Sequence, residues 1–117
     1  MILPKVRDPR FITIRRGGSL TDEMHYLLAL WAADCAEHVL HYFENECPED
    51  KRPRQAIEKT RLWAKGIIKA TESKEAAYYS NKAAQGLTGS AKMAAYSAGQ
   101  AAVVAHVPLH ELGAAAY

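Results

Sequence analysis

Between Thr21 and about Asn45, apolar side chains fall at Leu27, Leu28, Leu30, Trp31, Cys35, Val39, Leu40 and Phe43. Spacings of three and four residues predict one long helix with a buried stripe. Thr21 offers an oxygen to the free amides of the first turn, and Asp22 and Glu23 sit where the helix dipole favours acids. Pro48 and the acidic run around it end the helix. A second helix is expected from Pro53, whose missing amide costs nothing in a first turn, with a stripe at Ala56, Ile57, Thr60, Trp63 and Ala64 and a stop at Gly66. The short link predicts an antiparallel hairpin with Trp31 and Trp63 as core anchors.

Thr71, Glu72 and Glu75 open a third helix carrying Ala76, Ala77, Tyr79, Ala83 and Ala84, which Gly86 and Gly89 break. A fourth begins at Ser90 and sets alanines at 91, 94, 95, 98, 101, 102 and 105. Alanine is the best helix former, and so small a ridge predicts a closely approaching partner helix. Pro108 pushes Val107 out of helical geometry, and a short fifth helix, LHELGAAAY, is expected beyond the break. Phe11 to Ile14 are β-branched or aromatic but have no partner strand, so residues 1–20 are expected to be an extended arm on the helices, turning at Arg15-Arg16-Gly17-Gly18. The expectation is an all-α fold, a compact helical bundle of four main helices plus a short C-terminal one. The arm occupies 1–20 and a single helical domain 21–117.

A chain of 117 residues, 49 % apolar and 24 % charged, can build one core without disulfides or metals. Cys35 and Cys47 are twelve residues apart, about 18 Å along a continuous helix and beyond disulfide reach, which suits a reducing compartment. No apolar run has signal-peptide or membrane-span length, so a cytoplasmic location with no membrane partner is expected. The net charge of +2 is unevenly spread: residues 51–69 hold seven Lys/Arg against one Glu. Aromatic residues for base stacking are not interleaved there, and Arg54 and Arg61 have acidic partners available in the first helix, which argues against nucleic acid.

Asp34, Glu37, His38 and His41 share one stripe of the first helix, and Arg54, Glu58 and Arg61 one stripe of the second. Because so little of the first helix can face water, Asp34, Glu37, Arg54, Glu58 and Arg61 are expected to form a buried or half-buried ionic cluster that fixes how the helices meet. The alternative is that Asp34 and Glu37 orient His38 and His41 one turn on, completing a metal site or a metal-dependent enzyme with His106 and His110. No phosphate loop, serine elbow, CxxC or HExxH is present, so no catalytic residue and no cofactor is expected. Cys35, among alanines, is read as a small buried hydrophobe. Tyr78 and Tyr79 are adjacent, so one must face outward. Tyr78, with Arg15 and Arg16, is the candidate partner-binding group, and the apolar C-terminus would suit a homodimer.

The blocks RRGGSLTDEMHYLLALWAADCAEHVLHYFE, RPRQAIEKTRLWAKG and AHVPLHELGAAAY, in this order with an alanine-rich segment between, resemble a prokaryotic family of putative immunity proteins. The resemblance covers nearly the whole chain after about Asp8. It implies an all-helical domain that protects its cell by binding a toxin, and it brings no established catalytic or binding residues. The third helix, ESKEAAYYSNKAAQG, is more polar than the family's alanine-rich middle. The reading that results is a non-enzymatic protein-binding domain that neutralises a toxin, with a metal-dependent enzyme or a small homodimeric assembly module as alternatives.

Overall fold

The first helix starts where the sequence places it. In a computed structural model, which describes residues 9–105 apart from the side chains of Phe11 and Arg15, the Thr21 hydroxyl accepts the Met24 amide at 3.2 Å. Helix α1 spans Asp22–Glu46, α2 Arg52–Ala64, α3 Ala70–Ala83 and α4 Gly89–Val103. Each helix packs on the next, α1 closes the circuit against α4, and α2 also touches α4. This is the four-helix arrangement expected. The fifth helix, and residues 1–8 of the arm, lie outside the described residues.

Inside the bundle, side-chain size decides which apolar stripe of α1 turns inward. The buried positions are His25, Ala29, Ala32, Ala33, Ala36, Leu40 and Phe43, an alanine stripe, whereas Leu27 is 57 % exposed and Trp31 46 %. Trp31 is therefore not the core anchor its hydrophobicity suggests. The reason lies in α4, which buries Ala91, Ala94, Ala95, Ala98, Gly99, Ala101 and Ala102. A helix so thin gains dispersion contacts only if its neighbours come close, and a tryptophan between them would hold them apart. Trp63 of α2 is half-buried against the core, its ring 5.1 Å from Tyr26 and 4.6 Å from His25. Cys35 is also only half-buried, and both cysteines are free.

Close approach of α3 and α4 is visible in their hydrogen bonds. Ser73 Oγ donates to the Ala102 carbonyl at 2.7 Å and Ser80 Oγ to the Ala95 carbonyl at 2.8 Å. The pairs are seven residues apart on both helices and run in opposite directions, which sets an antiparallel register. Between them, a Cβ on Gly99 would collide with Asn81 Oδ1 and lie 3.3 Å from the Ala77 carbonyl oxygen, so only glycine fits this crossing without adjustment.

The described part of the arm is not extended. Pro9–Phe11 and Ile14–Arg16 are short 3-10 turns, and the chain then folds back so that the Leu20 amide donates to the Ile12 carbonyl and the Ile14 amide to the Leu20 carbonyl. Gly17 takes a left-handed φ of 88°, and a Cβ on Gly18 would run into Ile12. The glycine pair thus permits a reversal that satisfies the backbone locally and buries Leu20. Among the described residues the single bridge between Thr13 and Leu20 is the nearest approach to a strand.

Candidate functional site

The ionic residues of the hairpin come together as the stripes suggest, but at the surface. Arg61 donates to Asp34 at 2.9 Å and to Glu37 at 2.8 Å, and Arg54 holds Glu44 through two bonds of 2.7 and 2.5 Å. Stepping seven residues up α1, from Glu37 to Glu44, and seven down α2, from Arg61 to Arg54, keeps the pairs opposite each other. This antiparallel register gives Arg54 to Glu44 rather than to Asp34 or Glu37. Glu58 makes no ion pair among the described residues. The cluster is half-buried rather than buried: the Arg61 side chain is 28 % exposed and that of Glu37 49 %, and only Asp34, at 74 %, is open to water. The hydrogen bond from Arg61 holds the Glu37 carboxyl below its ordinary range, and that from Arg54 does the same for Glu44. At the start of α2, Asp50 accepts the Arg52 backbone amide and clamps its guanidinium, which holds the Asp50 carboxyl low as well.

Neither acid orients an imidazole, because Arg61 takes both. His38 and His41 are exposed on α1, the latter with its ring 4.1 Å from Tyr42. His106 and His110 lie outside the described residues. Among the described residues no three His, Cys, Asp or Glu side chains are grouped so as to hold a metal.

Sequence reasoning passed over two features. His25 is buried, and its Nε2 lies 2.6 Å from the Val104 carbonyl oxygen at the end of α4, tying the first turn of α1 to a carbonyl that has no helical partner. The second is the outer face of α1. Met24, Leu27 and Trp31, at spacings of three and four, are 50 %, 57 % and 46 % exposed, and Asp34, His38 and Tyr42 continue the line. The signal was legible: both stripes are apolar, and only the small one can meet an alanine helix.

Tyr78 is exposed, but so is Tyr79, which the helical stripe placed inward; the two rings lie edge-on at 5.5 Å, with Lys82 Nζ 5.0 Å from the Tyr78 ring centre. Arg16 is exposed in the turn before α1, and no hydrogen bond or ring contact joins it to Tyr78. Between α2 and α3 lies a groove of about 260 Å³ lined by Arg52, Lys59, Glu72, Glu75 and Tyr79. Asp50 already occupies Arg52, which leaves Lys59 opposite Glu72 and Glu75.

The described bundle thus carries ion pairs between α1 and α2 and an exposed apolar ridge on α1. The chain belongs to the Imm-5 like putative immunity protein family, which it matches over residues 18–117, as the three sequence blocks suggested. No curated protein and no solved structure matches it. Among the described residues no helix is long and apolar enough to cross a membrane.

Proposed function

We propose that this chain is an immunity protein that neutralises a toxin by binding it, without chemistry of its own. Family membership over residues 18–117 carries this reading. The exposed apolar residues on a long, well-packed helix support it, since pre-organised side chains bind without a large ordering cost. Arg16 and Tyr78, both exposed, and Arg15, next to Arg16 in sequence, are proposed as secondary partner contacts. The test is co-expression with any toxin that the neighbouring genes encode. Restored growth together with a stable complex on gel filtration is expected, and a folded immunity protein that neither protects nor binds would overturn the proposal.

A further inference from the structure

The outer face of α1 has a character that restricts what can cover it. Met24, Leu27 and Trp31 lie along about 10 Å of helix, since each residue rises about 1.5 Å. They stand on the side opposite the buried alanine stripe, so no part of the described bundle covers them. Contiguous exposed apolar surface of this kind marks interaction sites. The helix that carries it is itself one-sided in charge. Helix α1 contains Asp22, Glu23, Asp34, Glu37, Glu44 and Glu46 and no lysine or arginine. Arg54 offsets Glu44, but the single charge of Arg61 is shared between Asp34 and Glu37. A net negative charge therefore remains one turn beyond Trp31, where only Oδ1 of the exposed Asp34 carboxylate is engaged.

A second copy of the chain is a poor occupant, because pairing two such faces brings together two net negative patches in which one Arg61 is already shared by two acids. We infer that the outer face of α1 docks a cationic amphipathic element of a partner protein, with apolar side chains seated on Met24, Leu27 and Trp31 and a lysine or arginine reaching Asp34. This rests on the protein-binding reading and names the surface and the chemistry of its partner. A central tryptophan anchor beside an exposed carboxylate is the arrangement in which an apolar contact sets affinity and a charge sets orientation and choice of partner.

The probes are two synthetic helical peptides of identical leucine pattern, one with lysine and one with glutamate at the remaining positions, titrated into the full chain while the Trp31 indole N–H resonance is followed. The lysine peptide is expected to shift that resonance and leave the Trp63 signal in place, and the glutamate peptide to do neither. Leu27→Ser with Trp31→Ala should weaken lysine-peptide binding roughly tenfold or more. Asp34→Asn should narrow the preference between the peptides. Because all three side chains are exposed, a thermal melt of each variant is expected to match the parent and so separates lost binding from lost folding. Equal binding of both peptides, binding of neither, or a dimer in light scattering that Leu27→Ser dissolves would each overturn the inference. If the neighbouring toxin binds the Leu27→Ser, Trp31→Ala variant unchanged, this surface is wrong while the immunity reading stands; if the lysine peptide binds and no toxin does, the reverse holds.

Discussion

Asn81 and Gly99 show how tightly single residues set the α3–α4 crossing. The Asn81 Oδ1 atom is buried without a hydrogen-bond partner and occupies the space a Gly99 side chain would need. Gly99→Ala should cost about 1–3 kcal/mol through overpacking, despite alanine being the better helix former by about 1 kcal/mol. In an Asn81→Ala background the same change should be neutral or stabilising, and urea melts of the four proteins in a double-mutant cycle measure the difference. Asp34 behaves oppositely. With its side chain 74 % exposed, Asp34→Ala should cost less than about 1 kcal/mol, the range of surface pairs, rather than the several kcal/mol of a broken buried pair. The identity of the Arg61 partners could be read from the helical stripes, because charge and spacing are sequence properties. Their depth does not follow from the charge stripes themselves, since it is set by the packing of the small stripe of α1 on the alanine helix. Nor could the role of His25: its partner is a backbone carbonyl 79 positions away, which any residue could supply.

At the scale of elements, the hairpin of α1 and α2 is held from outside by ion pairs and from inside by Ala36, Leu40, Ala56 and Ile57. The outer pairs make a pH prediction. The carboxyls of Glu37 and Glu44 titrate below their ordinary value of 4.5, because their charged forms accept arginine hydrogen bonds in the folded state. Their contribution to stability is therefore complete above that value and is lost as the pH falls through it to the lowered folded values. Since both pairs are only partly buried, the total should be about 1 kcal/mol. Urea midpoints measured from neutral pH down to about pH 3 should decline, and Glu37→Gln with Glu44→Gln should remove part of that decline; an unchanged slope would show that the pairs form in the unfolded chain as well. All four helices, their order and the antiparallel pairing were legible in the sequence, because caps, prolines and glycines mark helix ends by local chemistry. The folded-back loop at 9–20 was not, because its hydrogen bonds join residues whose side chains carry no signal of the pairing.

For the molecule as a whole, two apolar stripes on one helix take two different destinations. The alanine stripe packs inward against α4, and the stripe of large residues is left to solvent beside an acidic patch. A bundle built this way has a core of alanines in close contact with a few larger side chains, Leu40, Phe43 and Ile57, while Met24, Leu27 and Trp31 stay at the surface. That division joins the fold to the proposed immunity function, and Trp31 tests both at once. Trp31→Ala should leave the urea midpoint nearly unchanged, within the roughly 0.5 kcal/mol usual for surface substitutions, while protection against the toxin falls sharply. A loss of about 3–5 kcal/mol, as when a buried aromatic is truncated, with protection reduced only in proportion to unfolding, would contradict the account by placing Trp31 in the core.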